Sequence, residues 1–238
     1  MTSVILFVFG TIVGSFLNVV GLRWNNKNFG GRSSCPKCGK TLQWFELAPI
    51  LSFLIQKGKC RSCGAKISWR YPLIEILTGL IFITTPLWIL PVFCIYIIIL
   101  IYDLHHKIIP DELVYLAIIL SLVFRTFVSD LGFRISDLAA ALLIFTFFAL
   151  IWLFSKGYAM GFGDAKLGLS VGLLLGATHG FSAILLAFWL GAAYGISAMI
   201  FSRKNITMKS EVPFAPFIIL GAWVSLMFDL DLLHVALF

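Results

Sequence analysis

Residues 92–103 read VFCIYIIILIYD, an uninterrupted apolar run that ends at a carboxylate, Asp103. Similar runs recur along the whole chain of 238 residues, which is 60% hydrophobic and only 12% charged. Soluble domains are about 45–50% apolar and about 25% charged, so most of this chain is expected to lie in lipid. The composition excludes disordered, fibrous and small disulfide-rich secreted proteins. It predicts an all-α, polytopic membrane helical bundle.

The apolar stretches predict about eight transmembrane helices, judged against the ~20 residues that a helical span needs. They lie at 4–22, 73–87, 89–102, 112–128, 137–154, 166–178, 180–201 and 214–232. The region around Pro86 and Pro91 allows either one bent helix or two crossings. Two crossings put sixteen of the eighteen cations on the cytoplasmic side, whereas one crossing puts only twelve there. The positive-inside rule therefore favours eight helices with both termini outside.

A polar segment at 23–71 separates the first two predicted helices and contains two CxxC pairs. Two residues between the thiols let a tight turn aim both sulfurs at one cation, and a glycine after each pair supplies the positive φ. The pattern predicts a structural zinc site with four ligands, Cys35, Cys38, Cys60 and Cys63. Disulfides or a redox role are the alternatives, and the reducing cytoplasm argues against disulfides.

The same polar segment carries ten of the eighteen Lys and Arg residues, and the chain as a whole has a net charge of +7. A cation-rich surface of this kind is more often solvated, or held against anionic lipid headgroups, than bound to nucleic acid. We therefore expect the lipid bilayer as a partner and no nucleic acid.

Two carboxylates stand at the edges of predicted spans, where a charge is costly and is therefore a functional candidate. Asp103 ends one apolar run, and Asp164 lies in the segment GFGDAK at 161–166. The eight-helix topology puts both at the cytoplasmic edge. Two carboxylates within hydrogen-bond reach share one proton. One can then activate water against a peptide carbonyl while the other donates to its oxygen.

Gly161 and Gly163 fit a substrate-binding role beside these aspartates, because glycine lets a peptide backbone approach closely. Other interpretations stay open. Asp164 would cap the helix that follows, and Asp103 would pair with Lys107 at the membrane surface.

Four further polar residues carry weaker expectations. Asp111 follows a proline and is expected to be a helix N-cap, and Glu75 is expected to pair with a polar group inside the bundle. His105 and His106 suggest a metallopeptidase, but no HExxH motif supports it.

Together the motifs resemble those of the bacterial prepilin peptidases, also called type IV leader peptidases, in family order and along nearly the full chain. The matching segments are GSFLNVV at 14–20 with Arg23, the four cysteines, YPLIE at 71–75, residues 103–113, GFGDAKL at 161–167 and VPFAPF at 212–217. Each motif alone is weak evidence for the family, but the complete set in the same order is not expected by chance.

The resemblance implies an aspartyl endopeptidase of the GxGD type, which cuts leaders from prepilins or pseudopilins at the cytoplasmic face of the inner membrane. Its paired aspartates fall on Asp103 and Asp164, and its zinc ligands on the four cysteines. Many members also methylate the new N-terminus with S-adenosylmethionine. This chain has no dinucleotide-style glycine motif for that cofactor, so methylation rests on the resemblance alone.

The resulting domain organisation is a first transmembrane helix at 1–22, a cytoplasmic zinc-binding loop at 23–71 and a transmembrane peptidase bundle at 72–238. The alternative from another class is a non-catalytic membrane assembly factor that docks partners through its zinc loop. Such a protein would keep its function with Asp103 and Asp164 neutralised.

Overall fold

The computed structural model describes residues 2–25, 31–128, 134–201 and 213–232. Its helices are α1 (Thr2–Arg23), α2 (Leu51–Ile55), α3 (Arg70–Thr84), α4 (Leu90–His106), α5 (Asp111–Val123), α6 (Ile135–Ser155), α7 (Phe162–Phe201) and α8 (Ala215–Met227). A short 3-10 helix, Trp44–Glu46, precedes α2, and a π-helical turn, Phe124–Val128, follows α5. Within these ranges the only strand-like pairings are two isolated bridges, Ser34 with Thr41 and Lys59 with Lys66. The all-α prediction is confirmed.

Among the described residues, three helices are long and apolar enough to cross a membrane by length and composition: α1, α6 and residues Phe162–Ile200 of α7. Two shorter helices, α4 and α8, are also apolar. These helices make the chain an integral membrane protein.

The predicted helices 166–178 and 180–201 correspond to the two parts of the 40-residue α7, which is a pair of helices joined at a kink. The element is interrupted at Gly176, whose backbone is non-helical with φ 73° and ψ −170°. The break thus lies two residues before the end of the first predicted helix, and the count of eight spans is approximate because several of the helices are shorter than the ~20 residues of a full span.

Residues 73–102 contain two separate helices, α3 and α4, as a double crossing requires. Thr85 ends α3 in an extended conformation, with φ −109° and ψ 148°. The next residue is Pro86, which cannot donate the N–H that a continuing helix needs. A single bent helix is therefore excluded.

The chain divides into two compact units, Met1–Ile101 and Tyr102–Phe238, and the division falls inside α4. In the first unit α1 packs closely on α3. A Cβ atom at Gly10 would lie 2.8 Å from the Cβ of Phe82, and one at Gly14 would lie 2.8 Å from the hydroxyl of Thr78. Small residues at such positions let helix backbones approach, which is how helices associate in lipid.

In the second unit α7 packs against α5, α6 and α8. A Cβ atom at Gly172 of α7 would lie 2.7 Å from the Cα of Ala141 in α6. The aromatic ring of Phe148 is fully buried between Phe188 and Phe214, at centroid distances of 5.9 and 6.2 Å. The first turn of α7 also packs on α6, where the ring of Phe162 lies 5.9 Å from that of Phe145 and 5.0 Å from that of Trp152.

Candidate active site and metal centre

Asp103 and Asp164 are brought together within the second unit. Asp103 lies in the last turn of α4 and Asp164 in the first turn of α7. Both residues are buried, with 4% and 7% of their surface exposed. The two carboxylates interact electrostatically. Two carboxyl groups that come within hydrogen-bond reach share one proton, and this pair is the candidate for that arrangement.

Backbone N–H groups face both carboxylates. The N–H of Gly161 interacts with the Asp164 side chain, and the N–H of Ala215, at the start of α8, interacts with that of Asp103. The second oxygen of Asp103, Oδ2, is buried without a hydrogen-bond partner in the described part of the chain. Buried polar atoms rarely lack partners, and exceptions are often found where chemistry takes place.

Asp164 also stabilises the start of its own helix. Its N–H donates to the carbonyl of Gly161 at 3.2 Å, and its side chain reaches back to the N–H of the same glycine. An acid in the first turn is favoured there by the helix dipole. The capping interpretation and the catalytic interpretation therefore describe the same side chain and do not exclude each other.

The two predicted substrate-binding glycines stand at the entrance to α7. Gly161 directly precedes the helix, and Gly163 lies in its first turn beside Asp164. A Cβ atom at Gly161 would meet its nearest neighbour, Oδ2 of Asp164, at 3.7 Å, an ordinary contact. A substrate contact at these glycines stays a prediction.

Asp111 is the first residue of α5 and not its N-cap, so that prediction is wrong. The preceding proline occupies the cap position, and the Asp111 carboxylate instead accepts a hydrogen bond from Lys166 Nζ at 2.7 Å. The Lys166 ammonium also lies over the rings of Tyr115 and Phe162, 5.0 and 5.3 Å from their centroids. This cation joins α5 to α7 two residues after Asp164.

The four predicted zinc ligands form one cluster. Their Sγ atoms all lie within 4.8 Å of one another, and those of Cys35 and Cys63 are 3.8 Å apart. Four Zn–S bonds of about 2.3 Å in a tetrahedron put the sulfurs ~3.8 Å apart, so the spacing fits a tetrahedral thiolate site. The glycines after the two CxxC pairs, Gly39 and Gly64, both have the expected positive φ of 68°.

Backbone N–H groups favour the thiolate form of one cysteine in each CxxC turn, whereas burial and the neighbouring thiols raise the pKa of Cys63 to about 11. The N–H groups of Cys38 and Lys37 lower the pKa of Cys35 to about 6, and those of Cys63 and Ser62 lower the pKa of Cys60. Thiolates are the form that binds metal. All the cysteines are free thiols, so the disulfide alternative is not the arrangement found. The cluster can hold a metal ion.

No second metal site is formed by the described residues, in which the four cysteines are the one group of three or more potential ligands. His106 instead stacks on Tyr102 at 4.2 Å, and its Nδ1 lies 3.3 Å from the Tyr102 carbonyl. The metallopeptidase alternative therefore has no ligand set in this part of the chain.

Glu75 is paired inside the protein, as expected. Its Oε2 atom accepts a hydrogen bond from the backbone N–H of Ile50 at 2.8 Å, and its side chain also interacts with Ser15. The bond connects the cysteine-containing segment to α3. Ile50 itself adopts φ 60° and ψ −51°, a backbone conformation that is rare for a β-branched residue.

A buried ion pair between Arg125 and Asp137 was not predicted. Arg125 Nη2 donates to Asp137 Oδ2 at 2.8 Å, and both side chains are buried. The other oxygen of Asp137 accepts the N–H of Ala177 at 3.1 Å, directly after the break in α7. The sequence signal that would have found this pair is an acid at the start of an apolar stretch, where a charge needs a partner.

Comparison with known proteins identifies the family. Residues 8–89 match the bacterial peptidase A24 N-terminal domain, and residues 88–196 match the type IV leader peptidase family. The prepilin leader peptidase/N-methyltransferase of Bacillus subtilis (strain 168) is 36% identical over 229 residues, which cover 92% of this chain and 91% of the relative.

Two other relatives align at similar length. The type 4 prepilin-like proteins leader peptide-processing enzyme of Escherichia coli O78:H11 is 31% identical over 252 residues, covering 92% of this chain and 91% of its own. The prepilin leader peptidase/N-methyltransferase of Aeromonas hydrophila is 28% identical over 261 residues, covering 94% and 89%. No solved structure matches the chain significantly. On the strength of the matched domains and the near full-length relatives, the chain belongs to the type IV leader peptidase family.

Proposed function

We propose that this chain is a membrane aspartyl endopeptidase that removes the leader peptide from type IV prepilins or pseudopilins at the cytoplasmic face of the bacterial inner membrane. The observation that carries the proposal is the pair of buried, interacting carboxylates, Asp103 and Asp164. The names of the relatives supply the substrate class.

In the proposed reaction the two aspartates hold one proton between them. The ionised carboxylate removes a proton from a water molecule as its oxygen attacks the scissile carbonyl carbon. The protonated carboxyl group donates its proton to the carbonyl oxygen, and a tetrahedral intermediate is formed. Proton transfer to the amide nitrogen then lets the C–N bond break. Oδ2 of Asp103, which has no partner in the described residues, is the atom expected to bond to the shared proton or the water.

Gly161 and Gly163 are proposed to lie beside the backbone of the substrate. Gly161 leaves room for the substrate to approach the carboxylates, whereas Gly163 faces Ile109 and keeps the first turn of α7 in place. The resemblance to the family implies a short basic leader that ends in Gly, followed by Phe or another apolar residue and a hydrophobic helix. That helix would enter from the bilayer, while the leader reaches the cytoplasmic edge.

Cys35, Cys38, Cys60 and Cys63 are proposed to hold a structural zinc ion. Four thiolates fill a tetrahedral shell, so the metal would leave no position for a substrate. Its binding free energy would stabilise the folded loop, and no step of peptide cleavage needs it.

N-methylation of the new N-terminus with S-adenosylmethionine is a proposed second activity. It is supported by the names of relatives, which combine leader peptidase with N-methyltransferase. A non-catalytic assembly factor that docks partners through the zinc loop is the competing function, and the paired buried aspartates weigh against it. Docking through the loop would not require them.

The test is to incubate the purified protein in detergent with a peptide that spans the leader and the N-terminal helix of a prepilin. Mass spectrometry should detect two separate fragments, the leader and the remaining peptide, which result from a cut at the leader boundary. The new N-terminus should gain a methyl group only when S-adenosylmethionine is added. A matched peptide in which the Gly before the cut is replaced by a bulky residue serves as the control. If the intact peptide alone is recovered across a panel of prepilins, the proposal fails.

A further inference from the structure

We propose that the exposed apolar face of α2, a helix flanked by Trp44 and Trp69, inserts into the headgroup region of an anionic lipid bilayer. The proposal concerns the loop between α1 and α3, and it does not depend on peptidase activity.

The apolar face of α2 points away from the protein. Leu51, Leu54 and Ile55 are spaced i, i+3 and i+4, so they share one side of the helix. These three residues are 62%, 60% and 68% exposed. Phe53 lies on the opposite side and is buried, with its ring 4.7 Å from that of Trp69. The helix therefore has an inner apolar contact and a second, unburied apolar face.

A hydrogen bond fixes the height of α2 relative to the membrane part. Ile50, which immediately precedes α2, donates its N–H to Glu75 Oε2 at 2.8 Å. Glu75 lies five residues after the first residue of α3, Arg70, which corresponds to ~7.5 Å along a helix axis. The start of α2 is thus held beside the interior of α3 and not above its end. This attachment holds the exposed apolar face of α2 beside the first turns of α3, where we expect the headgroups and acyl chains to meet.

Two exposed tryptophans flank α2 in the same loop. Trp44 belongs to the 3-10 helix that packs against α2, and Trp69 is the N-cap of α3. They are 83% and 68% exposed. Tryptophan is enriched at membrane interfaces because its ring is apolar and its N–H can bond to water or headgroups.

The net positive charge of the loop favours lipids with anionic headgroups. Residues 31–69 contain seven cations and a single acid. The acid is Glu46, which is already paired with Lys40 at 3.2 Å. Backbone donation from Gln43, together with this ion pair, lowers the pKa of Glu46, so it stays ionised and paired at neutral pH. The remaining cations attract anionic headgroups, which concentrates the apolar face at a negatively charged membrane.

The loop is also tethered at both ends. It leaves α1 after Arg23 and enters α3 at Arg70, so it stays close to the bilayer that these helices occupy. Tethering raises the effective concentration of the membrane at this surface far above that of any partner in solution. This favours lipid over a soluble protein as the occupant.

The test places the photocrosslinking residue p-benzoylphenylalanine at Leu54 in the full chain, reconstituted into nanodiscs of phosphatidylcholine with or without phosphatidylglycerol. A matched protein carries it at Lys37, an exposed position in the first CxxC turn. After irradiation, mass spectrometry should find lipid adducts at Leu54 several-fold above those at Lys37, and the Leu54 yield should rise with phosphatidylglycerol.

A second labelled position, Ile55, should behave as Leu54 does, and an unchanged metal content should show that the loop is still folded. Adducts to another part of the chain would overturn the proposal, because the surface would then be covered by protein. Equal lipid yields at Leu54 and Lys37, or no lipid adduct at Leu54 or Ile55 in a folded loop, would overturn it as well.

Discussion

A Cβ atom on Gly163 would lie 2.8 Å from the Cβ of Ile109, in the connection between α4 and α5. Glycine at this position lets the first turn of α7 approach that connection, and this places Asp164 beside the end of α4. Gly161 has no such neighbour, because its nearest atom would be 3.7 Å away. The two glycines of the GFGD segment therefore have different roles: Gly163 allows close packing, whereas Gly161 has only ordinary contacts.

We expect Gly163→Ala to lower both stability and cleavage. The added methyl group has to displace Ile109, and overpacking of this kind costs about 1–3 kcal/mol. Thermal unfolding in detergent should show a lower midpoint. Gly161→Ala is the matched control for packing, and its midpoint should equal that of the unsubstituted protein.

If Gly161→Ala melts normally but cleaves slowly, the loss reports on the approach of the substrate. A Gly163→Ala protein as stable as the original would show that the contact with Ile109 does not constrain the site.

Replacing Gly176 should destabilise the second unit. Its backbone conformation is accessible almost only to glycine, and forcing another residue into it costs about 1–3 kcal/mol. A Cβ atom there would also lie 2.7 Å from Arg125 Nη2 and from Asp137 Oδ1. Gly176→Ala should therefore lower the unfolding midpoint.

Gly195→Ala, in the same element, is the control. A Cβ atom there meets nothing within 4 Å, so the variant should be as stable as the original or more stable, by up to ~1 kcal/mol. Equal midpoints for the Gly176→Ala and Gly195→Ala proteins would contradict this account of the break.

The sequence was sufficient to predict features that depend on local spacing. The CxxC turns and their glycines are set by a few adjacent residues, and the cysteine cluster was predicted from them. The break at Gly176 was predicted only approximately, because hydropathy separates helices at 166–178 and 180–201 but does not locate the residue at which the helix breaks. The N–H after the break is bonded to Asp137, 40 residues away in the chain, and no periodicity carries that information.

Asp111 illustrates the same limit. A proline followed by an acid before an apolar run indicates a capped helix start, and the helix does begin there. The partner of the carboxylate, Lys166, lies 55 residues later. A local motif therefore gave the helix but not the role of the side chain.

The cysteine cluster should prove structural. Cys35→Ser should lower zinc content, the protease resistance of the loop and the amount of folded protein together, because metal binding and folding of such sites are coupled. Cys94→Ser is the control, because Cys94 lies in α4 outside the cluster. Activity per folded molecule should be unchanged in both variants. A folded, inserted Cys35→Ser protein without turnover would instead give the metal a direct role in catalysis.

The proposed topology can be tested by cysteine labelling from each side of the membrane. The charge distribution predicts that positions near Lys57, Lys107 and Lys156 are reached from the cytoplasm, and that a position near Ser129 is reached from outside. If a cysteine introduced at position 107 were labelled from outside, the chain would cross the membrane only once between Tyr71 and Asp103. The orientation of all later helices would then be reversed.

The most direct test of the central claim is the cleavage rate of Asp103→Asn and Asp164→Asn proteins on a prepilin peptide, measured beside their unfolding midpoints. The amide keeps the shape of the carboxyl group but cannot share the proton, so each variant should lose at least about 100-fold in rate while it remains folded. Glu112→Gln, an exposed acid in the first turn of α5, should cleave at the original rate. Near-normal turnover by either aspartate variant would contradict the assignment of Asp103 and Asp164 as the catalytic pair.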